Sequence, residues 1–185
     1  MILYINCCVR EESRTNKLAQ AVLQKLCGEI IEIDLYEEKL RPLDKETLAV
    51  RTALIEKGDY SDSMFKYAKQ FAAANEIVIA APYWDLSFPA MLKIYFENIY
   101  ITGLVSEYGE NGIPHGLCKA KRLIYVTTAG GPYDPTYSYG YVESLAKNFF
   151  GIPETQLVKA EMLDIEGYNA EEILGKAIMQ VKEDV

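Results

Sequence analysis

Hydrophobic positions along the chain switch repeatedly between two periods. Residues 2–6 form a short apolar run, which predicts a buried strand. Between residues 15 and 26, apolar side chains fall at Leu18, Ala19, Val22, Leu23 and Leu26, the spacing of one helical face. Residues 29–35 (EIIEIDL) alternate apolar and acidic positions, as an outer strand does. Residues 45–57 and 61–75 carry helical patterns, with Gly58 and Asp59 as the break between them. Residues 76–81 (EIVIAA) are continuously apolar and bounded by Pro82, which predicts a central strand covered on both faces. A helix over 89–101 follows, opened by Pro89 where a missing N–H costs nothing. Residues 122–128 read as the next strand and 143–150 as a helix closed by Gly151. A fifth strand is predicted over 154–162, and a last helix over 170–181 with Asn169 as its N-cap.

Strand and helix therefore alternate about five times, which predicts an α/β fold with a parallel sheet and helices on both faces. Short loops and right-handed crossovers force a doubly wound arrangement. The 185 residues suit a single domain over 1–185, long enough to bury roughly 70% of its unfolded surface without disulfide or metal. Ligands in such sheets sit beyond the carboxyl ends of the strands. The segments to search are those after the first, third and fourth strands of the sheet.

Charge and cysteine usage remove several classes of partner. The formal net charge of -8 argues against nucleic acid and anionic membrane, since each needs a basic face. No apolar run reaches the roughly 18 residues needed to span a bilayer. The opening MILYINCC has no basic flank and reads as a first strand, so the expected location is the cytoplasm. Cys7, Cys8, Cys27 and Cys118 form no CxxC pair, and with His115 as the one histidine they have no metal-site spacing.

Three loops could carry chemistry. After the first strand, CCVREESRTN places Ser13, Arg14, Thr15 and Asn16 where a helix begins. Such a terminus suits a phosphate, and Ser or Thr there is equally an ordinary cap. Glu11 and Glu12 weigh against an anion. After the third strand, PYWDLSFP brings Pro82, Tyr83, Trp84, Asp85, Leu86 and Phe88, which can line an apolar pocket or pack as core. After the fourth, TTAGGPY (127–133) carries Thr128, Ala129, Gly130 and Gly131, a plain turn or a place for close backbone approach. Tyr133, Tyr137, Tyr139 and Tyr141 follow, more tyrosines than a solvated loop needs. One loop offers phosphate contacts, one an aromatic surface and one close approach, a combination that fits the planar phosphorylated ring of FMN.

The segment APYWDLSFPAMLKIYFENIYITG (81–103) resembles the flavodoxin-like NAD(P)H quinone oxidoreductases and FMN-dependent azoreductases. So do Ser13-Arg14-Thr15-Asn16, the SEYGENG segment (106–112) and Thr128-Ala129-Gly130-Gly131. The resemblance implies a flavodoxin-like three-layer sandwich whose five sheet strands, numbered along the chain, run 2-1-3-4-5. It implies FMN as cofactor, NAD(P)H as donor, and a quinone or azo compound as acceptor in a two-step cycle. It further implies a homodimer with active sites at the subunit interface. By the same resemblance Ser13, Arg14, Thr15 and Asn16 hold the phosphate, residues 82–86 line the ring, and residues 128–131 meet its pyrimidine side. Tyr108 reaches in from the other subunit, and Tyr133 becomes the candidate proton source. Asp85 departs from the Asn common in azoreductases, and a carboxylate there would lower the flavin potential. The loop after the fourth strand also lacks the His of mammalian-type quinone reductases.

Two other readings use the same fold. Cys8 to Thr15 spells C-x5-R-T, the spacing of low-molecular-weight tyrosine phosphatases, with Cys8 as nucleophile, Arg14 as phosphate clamp and Asp134-Pro135 as the acid loop. The acidic charge also suits a flavodoxin-like electron carrier.

Overall fold

The computed structural model describes the backbone of residues 1–184 and side chains through Val181. Five strands form one parallel sheet: β1 (Ile2–Asn6), β2 (Ile30–Asp34), β3 (Glu76–Ala80), β6 (Arg122–Thr128) and β7 (Glu154–Ala160). Their order is β2-β1-β3-β6-β7, the doubly wound order expected from the sequence. β1 and β3 are covered on both faces, which matches the continuous apolar stretches Ile2–Ile5 and Ile77–Ala80 within them. β2 lies at the edge, which explains its alternating pattern.

Alternation along each strand sorts the core into two layers. Leu3, Ile5, Ile77, Ile79, Leu123 and Tyr125 face one side, against α3 (Lys66–Ala73), α4 (Ala90–Ile99) and α5 (Tyr139–Leu145). Ile2, Tyr4, Val78, Ala80, Ile124 and Val126 face the other, against α1 (Arg14–Leu23) and α6 (Ala170–Asp184). The remaining helix, α2 (Lys45–Glu56), has no buried residue. It rests on the first layer through the half-buried Leu54 and Ile55.

Several expected boundaries move. The first helix begins at Arg14, with Ser13 as cap, and its α-helical hydrogen bonding stops at Leu23, where Leu26 N–H reaches only Leu23 O. Pro89 is the residue before α4 rather than its first, since its ψ of 145° is extended. The segment after Gly58 is split: a 3-10 turn over Ser63–Phe65, capped by the Asp62 carboxylate, precedes α3. The strand expected to reach residue 162 ends at Ala160, because Met162 turns into a left-handed conformation at φ 66°. α5 starts at Tyr139, four residues before the expected position, and ends in a π-helical turn over Ala146–Phe150 closed by Gly151 at φ 74°. The Asn169 cap stands: its Oδ1 accepts from Glu171 N and Glu172 N at 3.1 Å.

One element was absent from the sequence reading. β4 (Ser106–Tyr108) and β5 (Pro114–Gly116) form an antiparallel hairpin beyond α4. Gly112, at φ 72°, turns it. Gly116 lets the hairpin lie against the π turn, since a Cβ there would collide with the Phe150 carbonyl and Gly151 N.

Candidate cofactor site

The carboxyl ends of β1, β3 and β6 open into a cleft of about 230 Å³. Each loop leaves its strand through a backbone bond to the neighbour. Cys7 N donates to Ala80 O at 2.8 Å, Ala81 N to Val126 O at 3.0 Å, and Tyr83 N to Thr128 O at 3.0 Å. The three loops searched for on sequence grounds therefore converge at one place.

The first wall is the start of α1. Ser13 is extended at φ -75°, and its Oγ accepts from Asn16 N at 3.2 Å. The first-turn amides have no intrahelical acceptor, so this end of α1 favours an anion. Thr15 is buried, and its Oγ1 lies 2.6 Å from Thr128 Oγ1, tying the first loop to the third. Glu12 pairs with Lys17 at 2.6 Å, and that partner holds its carboxyl below the usual range. Its charge is thus compensated rather than opposed to the cleft. Asn16 turns away: its Oδ1 accepts from Tyr4 OH at 2.8 Å and from Gln20 Nε2 at 3.2 Å.

The second wall is Pro82, Tyr83 and Trp84. Trp84 and Ser87 exchange backbone bonds of 3.0 and 2.8 Å, closing a two-residue turn with Asp85 and Leu86 at its tip. Both tip residues have positive φ, 49° and 67°, as a type I′ turn requires. Asp tolerates that conformation by bonding its own backbone, whereas Leu adopts it at a cost. The turn carries apolar surface into solvent, with Trp84 39% and Leu86 60% exposed. These residues are not core.

Thr128, Ala129 and Gly130 make the third wall. A Cβ on Gly130 would strike the Asp164 carboxylate, so glycine there lets the loop after β7 close against the cleft. Asp164 N donates to Gly130 O at 2.9 Å and Leu163 N to Ala129 O at 3.2 Å. Arg14 crosses to the same loop, donating to Leu163 O at 3.0 Å and Asp164 Oδ1 at 2.6 Å.

Of the residues singled out in the sequence, Ser13, Arg14, Thr15, Pro82, Tyr83, Trp84, Thr128, Ala129 and Gly130 line the cleft. Asn16, Asp85, Leu86, Gly131, Tyr108 and Tyr133 do not. Tyr133 stands directly behind Tyr83, ring centroids 4.7 Å apart, with its hydroxyl 2.8 Å from Ser138 Oγ. Burial raises its pKa, so at neutral pH the phenol keeps its proton. Tyr108 sits on the hairpin, half exposed, its hydroxyl 3.3 Å from that of Tyr100. It borders a second, more apolar recess of about 370 Å³ that includes Phe96, Tyr141 and Phe149.

Cys8, Val9, Arg10, Glu12 and Asp164 also line the cleft, and of these the sequence marked only Cys8 as a reacting group, in the hydrolase reading. The first four lie within the loop that was searched. Asp164 follows β7, where no motif marked it.

The hydrolase reading is not favoured here. Cys8 is buried, and burial pushes its thiol up to about 11, the reverse of an activated nucleophile. Arg14, which would clamp the phosphate, is engaged by Asp164.

The likenesses to known proteins follow the same line. An FMN-dependent NADH:quinone oxidoreductase 2 of Clostridium acetobutylicum is 37% identical, over 98% of this chain and 96% of the relative. An FMN-dependent NADH:quinone oxidoreductase of Coprothermobacter proteolyticus is 35% identical, over 94% of this chain and 90% of its own. Among solved structures, an FMN-dependent NADH-azoreductase from Bacillus anthracis in complex with FMN superposes with a TM-score of 0.81 at 27% identity, covering 98% of this chain and 95% of that one. A model of the flavodoxin-like fold matches residues 1–185, and the chain belongs to that family.

Proposed function

We propose that this chain is an FMN-dependent NAD(P)H oxidoreductase that reduces quinones or azo compounds, working as one domain over 1–185 in a cytoplasmic homodimer. The observation that carries the reading is the convergence of three loops on one cleft. A helix N-terminus with arginines stands at one end, and an exposed aromatic turn at the other. The names of the relatives, FMN-dependent NADH:quinone oxidoreductase and NADH-azoreductase, support the same chemistry.

The residues fit FMN part by part. Ser13, Thr15 and the first-turn amides of α1 receive the phosphate. Arg14 and Asn16 shape that turn, Arg14 through Asp164 and Asn16 through Tyr4. Pro82, Tyr83, Trp84 and Leu86 offer the apolar surface on which a planar ring rests. Thr128, Ala129 and Gly130 allow close backbone approach at the ring's edge, and Gly131 continues that turn just outside the cleft. FMN held by these residues would supply hydride transfer between NAD(P)H and the acceptor. The protein positions these partners. Tyr133, the candidate proton source, stands behind Tyr83 with its hydroxyl on Ser138 and outside the cleft, so solvent is the nearer source of the acceptor's proton.

Two features support the dimer. The cleft is below the roughly 300–1,000 Å³ of typical ligand sites, so a ring reaching past Trp84 needs cover from elsewhere. A half-exposed Tyr108, an apolar recess beside it and an α2 without buried residues give one face of the molecule apolar surface to bury. Tyr108 of a second copy supplies the cover. Among the described residues no helix is long and apolar enough to cross a membrane.

An absorbance spectrum of purified protein, with NADH and NADPH added in turn without oxygen, tests the reading. Flavin bands that bleach with either donor are expected, followed by recovery on adding a quinone. A colourless protein that ignores added FMN overturns it.

A further inference from the structure

Four charged residues line the cleft: Arg10, Glu12, Arg14 and Asp164. Arg14 and Asp164 form one ion pair at 2.6 Å, and Glu12 forms another with Lys17 at 2.6 Å. Among the described residues Arg10 has no ion pair, and it is exposed. Its positive charge is therefore the only uncompensated one in the lining.

Arg14 is also committed by geometry. Its two terminal nitrogens donate to acceptors on one loop, Leu163 O and Asp164 Oδ1. That loop is itself bonded to the glycine turn through Met162 N to Gly131 O, Leu163 N to Ala129 O and Asp164 N to Gly130 O. Turning Arg14 toward a ligand would strand the Leu163 carbonyl and leave the Asp164 carboxylate beside an incoming anion. A phosphate meeting this pair sees a dipole close to neutral.

We infer that Arg10, not Arg14, supplies the charge that holds the phosphate, while Arg14 is a positioning residue that ties the start of α1 to the loop after β7. This rests on the FMN reading above. Arg10 lies in the irregular stretch between β1 and α1, on the same loop as Ser13, so its guanidinium can fold over a phosphate seated at the helix end. Its exposure makes the contact sensitive to salt.

The test compares FMN with riboflavin, which lacks the phosphate. Binding of each to the full chain freed of flavin is followed by quenching of flavin fluorescence. Arg10→Gln is expected to weaken FMN roughly tenfold and leave riboflavin unchanged, and Arg10→Lys to restore part of the loss. FMN affinity of the parent protein should fall with salt, and that of Arg10→Gln should fall less. The paired change Arg14→Gln with Asp164→Asn removes the tie without changing net charge. It should lower the unfolding midpoint and affect both flavins alike. An Arg10→Gln variant with an unchanged preference for FMN over riboflavin overturns the inference. So does a paired variant that alone loses that preference. Should the parent protein bind neither flavin, the cofactor assignment itself fails and the inference with it.

Discussion

Asp85 and Leu86 hold left-handed backbone conformations at the tip of the turn after β3. A side chain such as leucine resists that conformation by about 1–2 kcal/mol, and the pair of backbone bonds between Trp84 and Ser87 holds it in place. Leu86→Gly should therefore raise unfolding stability by about 1 kcal/mol, read from urea denaturation, while removing apolar surface from the ligand side. A lower urea midpoint would mean Leu86 packs more than it strains. Asp85→Asn keeps the turn, since both residues tolerate positive φ. It should raise the midpoint potential of bound flavin, because it removes a negative charge beside the wall proposed to meet the ring. A redox titration without an upward shift rejects that role for Asp85. At this scale the sequence was a partial guide. The residue types at 82–86 announced a pocket, but not that Asp85 and Leu86 stand at its rim. Ser13 is legible as a cap from its type and position, whereas the partners of Arg14 are 149 and 150 residues away and invisible to local pattern.

Elements recovered from the sequence are those with strong periodicity and punctuation. β1, β3 and β6 are marked by continuous apolar centres, with polar residues only at their ends, because both their faces are covered. The hairpin β4–β5 was not legible, because three-residue strands rich in Gly, Ser and Pro have no period to detect. Its attachment depends on one glycine. Gly116→Ala would drive a Cβ into the backbone of Phe150 and Gly151. The expected cost is about 1–3 kcal/mol in unfolding, measured by urea titration. If Tyr108 covers a partner's site, Gly116→Ala should also raise the dimer dissociation constant measured by sedimentation. A variant as stable and as tightly associated as its parent would show that the hairpin is held elsewhere. The early start of α5 has a related cause. Tyr139 and Tyr141 enter the helix because the first core layer takes their rings, and a tyrosine-rich stretch does not display that on its own.

For the molecule as a whole, burial sets the response to pH. Cys7 and Cys8 lie under the cleft, and burial pushes their thiols up to about 12 and about 11 from an ordinary value of 9.0. The folded state thus retains protons that the unfolded chain releases. The resulting stabilisation is complete below pH 9 and is lost as pH rises through 11 to 12. Unfolding free energy should fall steadily from pH 8.5 upward, and Cys8→Ala should flatten the first part of that fall by roughly 3 kcal/mol. Urea titrations at several pH values check both, and a flat profile in the parent protein would mean the thiols titrate freely. The alternation of strand and helix was enough, by itself, to determine a doubly wound parallel sheet, since each run could be buried in few other ways. It also determined at which strand ends the cleft lies, because that follows from chain direction. Only the tertiary structure decided which side chains face the cleft and which charges there are already matched. Those depend on contacts between the first loop and the loop after β7, far apart in the chain and joined only when the sheet is assembled.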